Sequence, residues 1–152
     1  MVLKEGSAAP DFTLPDENGK KRYLAEFLGK DIVLYFYPKD ETSGCTTEAC
    51  NFRDDYSAYE KAGVVILGVS PDSPASHTKF KAHHLLPFTL LSDEDHKVLE
   101  LYGAWGKKQM YGKEYDGVLR TTYLIGKDGR ISKVFENVKP AEHSAEILAL
   151  IK

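Results

Sequence analysis

The sequence predicts an α/β fold in which a mixed central sheet carries helices on both faces. Two apolar runs typical of buried strands, 32–37 and 64–69, enclose a segment whose apolar residues recur at helical spacing. A hairpin pattern over 121–135 and a final amphipathic helix follow later in the chain. A strand–helix–strand unit followed by a hairpin and a helix is typical of a sheet that mixes parallel and antiparallel strands.

The strand–helix–strand unit is the clearest part of this pattern. The run IVLYFY at 32–37 ends before Pro38 and is continuously apolar, as expected of a strand buried on both faces. Residues 46–61 place apolar side chains at helical spacing, and Gly63 follows as a stop signal. The run VVILGV at 64–69 then predicts a second buried strand.

Capping signals place the next helices. Ser73-Pro74 combines an N-cap residue with a proline suited to the first helical turn, and predicts a helix start. Ser92, before the sequence DEDHKVLELY, predicts another helix that ends before Gly103. Residues 103–118 show no regular pattern, and their glycines predict a long loop.

The last part of the chain predicts a hairpin and a helix. The runs TTYLI at 121–125 and ISKVF at 131–135 flank a turn that contains Asp128-Gly129, which favours a β-hairpin. Pro140 begins the closing amphipathic helix.

Length and composition predict one soluble domain spanning 1–152. Apolar residues make up 42% and charged residues 28% of the chain, and no repeat or linker interrupts it. A net charge of −3 without a long basic run argues against nucleic-acid binding, and no apolar stretch reaches membrane-spanning length. The N-terminus lacks the apolar run of a secretory signal. Two cysteines are too few for a disulfide framework, so we expect a cytoplasmic location and a chemical role for them.

The candidate chemistry lies in the segment PKDETSGCTTEAC, residues 38–50. A buried strand ends just before it, and ligand sites in open α/β sheets lie beyond the carboxyl ends of strands. Thr42 or Ser43 can cap the following helix, which places Cys45 in or beside its first turn. Free amide N–H groups and the positive end of the helix dipole favour the thiolate there, and the thiolate is the reactive form.

Helical spacing separates the two cysteines. Cys45 shares the apolar stripe of Ala49 and Phe52, whereas Cys50 lies about 140° away on the polar face. Their α-carbons would be roughly 8–9 Å apart on a regular helix, beyond the limit of about 7 Å for a disulfide. Two interpretations remain open on spacing alone. The cysteines are unrelated, or they are a nucleophile and a resolving thiol whose bond requires the first helical turns to unwind.

A resemblance to a known family favours the second interpretation. Pro38, Thr42 and Cys45 match the P-x-x-x-T-x-x-C signature of peroxiredoxins. The chain resembles the bacterioferritin comigratory protein branch, also called PrxQ, over nearly its whole length. Further segments of likeness are SAAPDFTLPDENG, LLPFTLLSDEDHKVLELYGAWG, MYGKEYDGVLRTTYLIGKDG and the C-terminal helix. Ser43 departs from the proline found there in many members, at a position not thought to perform chemistry. The resemblance implies a monomer with a thioredoxin-like fold and added N-terminal elements.

The resemblance also implies a role for each site residue. Cys45 would attack the terminal oxygen of hydrogen peroxide or an organic hydroperoxide, and Cys50 would close a disulfide that thioredoxin or a similar dithiol reopens. Thr42 would position the peroxide oxygens, and Pro38 would shield the thiolate from water. Arg120 would stabilise the thiolate and polarise the O–O bond. No metal or organic cofactor is implied.

Two rival functions differ in what they require. A general thiol–disulfide oxidoreductase of thioredoxin type needs a C-x-x-C pair, whereas four residues separate Cys45 from Cys50. A non-catalytic redox switch would use cysteine oxidation only to melt a helix, and would not consume peroxide with turnover.

Four histidines could suggest a metal site, but surface positions are the favoured interpretation. His83-His84, with His77 and His96, are expected at the surface, because adjacent histidines on a helix point in different directions. A zinc site built from the two cysteines would lack the further thiols it needs.

Other aromatic and charged residues have two interpretations each. Trp105, Tyr111 and Tyr115 could form a substrate or partner surface, but folding onto the core beneath the predicted loop is favoured. Glu48 and Arg53 could tether each other or Arg120, but solvated helix charges are the default interpretation.

Overall fold

The computed structural model describes residues 2–151, so Met1 and Lys152, the ends of the predicted range 1–152, lie outside the described residues. In chain order the strands are β1 (Thr13–Pro15), β2 (Lys21–Tyr23), β3 (Asp31–Phe36), β4 (Val64–Ser70), β5 (Thr89–Ser92), β6 (Trp105–Met110), β7 (Lys113–Val118), β8 (Thr121–Ile125) and β9 (Ile131–Phe135). The helices are α1 (Ser43–Asp54), α2 (Tyr56–Lys61), α3 (Pro74–His84), α4 (Lys97–Leu101) and α5 (His143–Ile151), with a 3-10 helix at Leu24–Phe27. No helix within residues 2–151 is long and apolar enough to cross a membrane.

The central sheet is mixed, as predicted. Its order is β5-β4-β3-β8-β9, in which β3, β4 and β5 are parallel while β8 and β9 are antiparallel to their neighbours. Side chains of β3 alternate between two hydrophobic clusters, with Val33 and Tyr35 in one and Ile32, Leu34 and Phe36 in the other. Burial on both faces explains why this strand is continuously apolar in sequence.

Helices cover both faces of the sheet, which confirms the predicted layering. On one face α1, α3 and α5 contribute Phe52, Phe80 and Ile147 to the cluster that holds Tyr35. On the other face the 3-10 helix contributes Leu24 and α4 contributes Leu99.

The long loop predicted over 103–118 is wrong, because this stretch forms the β6–β7 hairpin. The strands pair from Trp105–Val118 to Met110–Lys113, and the turn residues Tyr111 and Gly112 have φ of 53° and 78°. Positive φ at both positions is typical of a two-residue hairpin turn. Most of β7 is exposed on both faces, so its sequence lacks the apolar alternation that marks a half-buried strand.

Two predicted helices also needed correction. The helix whose apolar spacing covers 46–61 begins at Ser43, directly after the predicted cap residue Thr42, but it is divided into α1 and α2 at Asp55. Ser92 belongs to β5, and α4 begins only at Lys97, after a turn. The N-cap residue of α4 is His96, and the carboxylate that accepts from the first turn is that of Asp93, which receives the backbone N–H of Leu99 at 2.7 Å.

Two other elements match the prediction, and the closing helix begins three residues late. Ser73 caps α3 by accepting a hydrogen bond from the backbone N–H of Ser76 at 3.2 Å, with Pro74 in the first turn. The hairpin of β8 and β9 matches its predicted bounds. The closing helix starts at His143 instead of Pro140, because residues 140–142 form a turn.

Candidate active site

The segment between β3 and α1 carries the predicted site at the carboxyl end of a parallel strand. Thr42 is the N-cap residue, with φ −76° and ψ 154°, and its carbonyl accepts the hydrogen bond from the Thr46 N–H at 2.9 Å. Its side chain does not cap the helix, because Oγ1 donates to the carbonyl of Lys39 at 2.8 Å. Cys45 is therefore the third residue of α1, within the turn whose N–H groups have no intrahelical partner.

The Cys45 side chain is buried and contacts a guanidinium group. Only 1% of Cys45 is exposed, and Arg120 Nη2 donates to its Sγ at 3.3 Å. Strand pairing brings the two together: Phe36 at the end of β3 pairs with Thr121 at the start of β8. Arg120, one residue earlier, thus lies beside the segment that follows β3.

A glycine next to Cys45 makes room for this contact. A Cβ added to Gly44 would lie 3.3 Å from Arg120 Nη2, tighter than most contacts of a real Cβ. Gly44 therefore permits the close approach of the guanidinium to the first turn of α1.

Glu48 completes a buried triad with Cys45 and Arg120. Arg120 Nη1 donates to Glu48 Oε1 at 2.7 Å, and Glu48 is 1% exposed. Burial raises the pKa of Glu48 to about 7, against the opposing pull of the Arg120 charge. Burial by itself lowers the pKa of Arg120, but the Glu48 carboxylate and Cys45 outweigh it, so the net change is a rise. Arg120 therefore stays charged.

The default interpretation of Glu48 as a solvated charge is thus wrong, and the alternative, a tether to Arg120, is confirmed. Sequence alone could not choose between the two, because Arg120 lies 72 residues from Glu48 in the chain. Arg53 does lie nearer the surface, where it donates to Asp54 Oδ1 at 3.0 Å and to the His84 carbonyl at 2.8 Å.

Cys50 lies five residues further along the same continuous helix. It is half-buried, and both cysteines are free. The next residue, Asn51, donates through Nδ2 to the carbonyl of Ala141 at 3.0 Å, which ties this part of α1 to the segment before α5. The buried and half-buried positions match the two helix faces predicted for the cysteines.

A buried network that the sequence analysis missed anchors the loop before α1. The Asp40 carboxylate accepts hydrogen bonds from Tyr37 Oη at 2.6 Å and Ser76 Oγ at 2.8 Å, and lies 2.7 Å from His77 Nδ1. His77 Nε2 lies 3.0 Å from the carbonyl of Leu91. His77 is fully buried, so its predicted surface position is wrong. One ring nitrogen of His77 thus faces the Asp40 carboxylate and the other faces a carbonyl of β5. Through these two contacts, His77 of α3 connects the loop residue Asp40 to β5.

The adjacent histidines of α3 match the prediction only in part. His83 is exposed, as predicted. His83 Nδ1 and His84 Nε2 lie 2.8 and 2.7 Å from the two carboxylate oxygens of Glu41, so these rings converge instead of diverging. His96 stacks on Trp105 with ring centroids 3.8 Å apart.

The β6–β7 hairpin contributes little aromatic surface to the core. Trp105 packs partly buried against the core, but Tyr111 and Tyr115 are 98% and 41% exposed, so their predicted burial is wrong. Burial, and then the Arg120 charge, lower the pKa of Lys108. This β6 lysine is thus within electrostatic range of the Cys45–Arg120 contact.

Two groups of side chains within the described residues bring at least three metal-binding donors together. One group is Asp40, Asp72 and His77, and the other is Glu41, His83 and His84. In the first group, Asp40 and His77 contact each other as described above, and the Asp72 carboxylate accepts from the backbone N–H of Asp40 at 2.8 Å and from Ser70 Oγ at 2.7 Å. Neither group includes a cysteine.

Comparisons with known proteins identify the family. The model of the AhpC/TSA family matches residues 6–134. Peroxiredoxin Bcp of Bacillus subtilis is 49% identical over 152 residues, covering 100% of this chain and 97% of that protein. Peroxiredoxin Bcp of Escherichia coli is 47% identical over 150 residues, with coverage of 99% and 96%. The chain belongs to the peroxiredoxins, in the Bcp (PrxQ) branch. It is accordingly a peroxidase.

Solved structures agree with this assignment. A Cys-to-Ser variant of PrxQ from Xylella fastidiosa superposes with a TM-score of 0.93 at 31% identity, covering 99% of this chain and 96% of that one. A structure of the Xanthomonas campestris bacterioferritin comigratory protein, described for its alkyl peroxide reduction activity, gives 0.87 at 37% identity, with coverage of 92% and 89%. The thioredoxin-like fold implied by the resemblance is confirmed.

Proposed function

We propose that this peroxiredoxin reduces hydrogen peroxide and organic hydroperoxides with Cys45 as its nucleophile. The thiolate attacks the terminal peroxide oxygen, the O–O bond breaks, and Cys45 becomes a sulfenic acid. The other oxygen takes up a proton and leaves as water or an alcohol. The observation that carries the proposal is the 3.3 Å contact between Arg120 Nη2 and Cys45 Sγ in the first turn of α1. The alkyl peroxide reduction named for the Xanthomonas campestris relative supports organic substrates.

Electrostatic stabilisation by Arg120 supports this chemistry. A buried guanidinium favours the thiolate over the thiol, and also the negative charge that develops on the departing oxygen. Glu48 holds one edge of the guanidinium through Nη1, which leaves Nη2 directed at sulfur. Because the buried pair lies in a medium of low dielectric constant, these interactions are stronger than they would be in water.

Thr42 and Pro38 supply the rest of the proposed site. Thr42 Oγ1 donates its hydrogen to the carbonyl of Lys39, so its lone pairs are free to accept a hydrogen bond from the peroxide O–H. Pro38 is half-buried at the start of the loop, where it would limit the access of water to the thiolate.

Cys50 is proposed as the resolving thiol. Its sulfur attacks the Cys45 sulfenic acid, the S–O bond breaks, and water leaves as the disulfide forms. Because the α-carbons are roughly 8–9 Å apart on a regular helix, the first turns of α1 must unwind before the bond can close. Phe52 remains packed in the core and holds the later turns.

A dithiol reductant of the thioredoxin class would then reopen the disulfide by thiol–disulfide exchange. The unwound segment exposes the sulfur atoms to that partner. We propose that the chain performs this cycle as a monomeric single domain in the cytoplasm, where such reductants keep thiols reduced.

A turnover assay tests the proposal. Peroxide consumption is followed by stopped flow with thioredoxin, thioredoxin reductase and NADPH for wild type, Cys45→Ser and Cys50→Ser. Wild type should turn over many times. Cys45→Ser should be inactive, because the serine hydroxyl is un-ionised at neutral pH. Cys50→Ser should react once without thioredoxin-dependent recycling. Substantial turnover by Cys45→Ser would reject the assignment, and a wild type that forms a disulfide without turnover would indicate the redox switch.

A further inference from the structure

Three side chains outside the proposed active site converge where its loop meets the end of α3. Glu41 lies in the loop, while His83 and His84 are the last residues of α3. Their donor atoms all lie within 4.8 Å of one another. Adjacent side chains on a helix normally diverge by about 100°, yet these two rings lie with centroids 4.1 Å apart. The shared carboxylate accounts for this, because one oxygen faces each ring.

We propose that Glu41, His83 and His84 form a binding site for a divalent transition metal of the zinc class. Imidazole nitrogens suit Zn²⁺, Ni²⁺ and Cu²⁺, and two histidines with one carboxylate leave a further coordination position for water. The ring nitrogens now lie 2.7 and 2.8 Å from the carboxylate oxygens. Ligands of a tetrahedral Zn²⁺ are about 3.3 Å apart, so the rings need to recede by about half an ångström as the metal replaces the bridging protons.

Contacts outside the cluster restrain His84, and the backbone of Glu41 is also restrained, before any metal binds. The His84 ring packs edge-on against Phe80 at 5.2 Å between centroids, and Arg53 Nη1 donates to the His84 carbonyl at 2.8 Å. Glu41 has a left-handed φ of 65° and follows the buried Asp40. Less side-chain and backbone freedom is therefore lost when a metal binds.

The electrostatic environment also favours a cation. Glu41 supplies a carboxylate between the two imidazole rings, with one oxygen facing each ring. His83 and His84 lie in the last turn of α3, where the negative end of the helix dipole attracts positive charge. The site faces solvent, since His83 and Glu41 side chains are 66% and 45% exposed.

A metal at this position would connect the active-site loop to α3. Glu41 immediately precedes Thr42, the N-cap of α1, so the bound ion would restrain the segment from which α1 unwinds. The site itself uses neither Cys45 nor Cys50.

Calorimetric titration with Zn²⁺ tests the site in the full-length Cys45→Ser/Cys50→Ser protein, in which thiols cannot bind the metal. One equivalent should bind. His83→Gln and His84→Gln should each weaken binding by about tenfold or more, since even outer-shell partners of metal ligands matter by roughly 10–100-fold. His96→Asn is the matched control, because this histidine lies outside the cluster and stacks on Trp105. It should leave the affinity unchanged.

A further variant distinguishes loss of a metal ligand from unfolding of the histidine variants. Glu41→Gln alters an exposed residue and removes the charged ligand, so it should also weaken Zn²⁺ binding while circular dichroism stays unchanged. Added Zn²⁺ should raise the melting temperature of the thiol-free protein, and this rise should disappear in Glu41→Gln. Absence of saturable binding, or equal affinity in Glu41→Gln and the thiol-free parent, would overturn the proposal.

Discussion

The buried Glu48 carboxylate predicts an unusual dependence of stability on pH. Its pKa rises from 4.5 to about 7 in the folded protein, because burial disfavours the charged form more than Arg120 favours it. The folded state therefore binds more protons than the unfolded state between these two values. By linkage, the contribution of this group to stability is complete below about pH 4.5 and is lost as the pH rises through 7.

The expected loss is substantial for a chain of this size. Each unit of pKa change corresponds to about 1.4 kcal/mol of free energy. The rise in the pKa of Glu48 from 4.5 to about 7 therefore corresponds to a loss of about 3 kcal/mol of stability at high pH. Glu48→Gln keeps an amide oxygen that can accept from Arg120 but cannot ionise. We therefore compare the unfolding free energy of Glu48→Gln with that of wild type at each pH. The variant's value minus the wild-type value should increase by about 3 kcal/mol as the pH rises from 4.5 to 8.

Urea unfolding at several pH values, with the thiols kept reduced, measures this difference directly. Other titrating groups are common to both proteins and cancel in the comparison. Glu60→Gln is the control, since Glu60 is exposed on α2, and its difference from wild type should change little with pH. A Glu48→Gln difference that stays constant with pH, or that falls as the pH rises, would refute the reasoning.

Three further predictions follow from the site. In a Cys50→Ser background, Arg120→Ala should slow the alkylation of Cys45 by iodoacetamide at pH 7, and should slow peroxide reduction by roughly 100-fold. An unchanged alkylation rate would remove Arg120 from the site. His77→Gln should destabilise the protein by about 1–3 kcal/mol in urea unfolding, because a buried acceptor of His77 loses its hydrogen-bond partner. It should also slow peroxide reduction, because the loop residue Asp40 is no longer held in place. A wild-type stability and a wild-type rate would contradict this role of His77. Hydrogen exchange on reduced and oxidised protein should show protection lost over 45–50 and kept over 55–61; equal protection in a protein with a confirmed disulfide would rule out unwinding.

The central strands and the position of Cys45 could be predicted from sequence because local signals specify them. Buried strands are continuously apolar, and the turn before α1 combines a strand end with an N-cap residue at Thr42. The contact of Arg120 with Cys45 could not be derived locally. It depends on the pairing of β3 with β8, which joins residues far apart in the chain.

The errors at Glu48 and His77 share a physical cause, which is that long-range partners override local preference. Charged residues are seldom buried unless paired, so local preference places Glu48 in solvent, and its pairing with Arg120 is what permits its burial. His77 is buried for the same reason, through Asp40. The β6–β7 hairpin is held by backbone pairing between β6 and a mostly exposed β7. An exposed strand carries no apolar alternation, so the sequence does not mark it as a strand.

The identity of the first oxidised sulfur tests the central claim most directly. Reduced wild type and Cys50→Ser are each treated with one equivalent of hydrogen peroxide in the presence of dimedone, which traps sulfenic acids, and are analysed by peptide mass spectrometry. Wild type should contain mainly an intramolecular Cys45–Cys50 disulfide, and Cys50→Ser should carry dimedone on Cys45. Cys45→Ser is treated in the same way. If its Cys50 formed the dimedone adduct as fast as Cys45 does in Cys50→Ser, the assignment of Cys45 as the nucleophile would be contradicted.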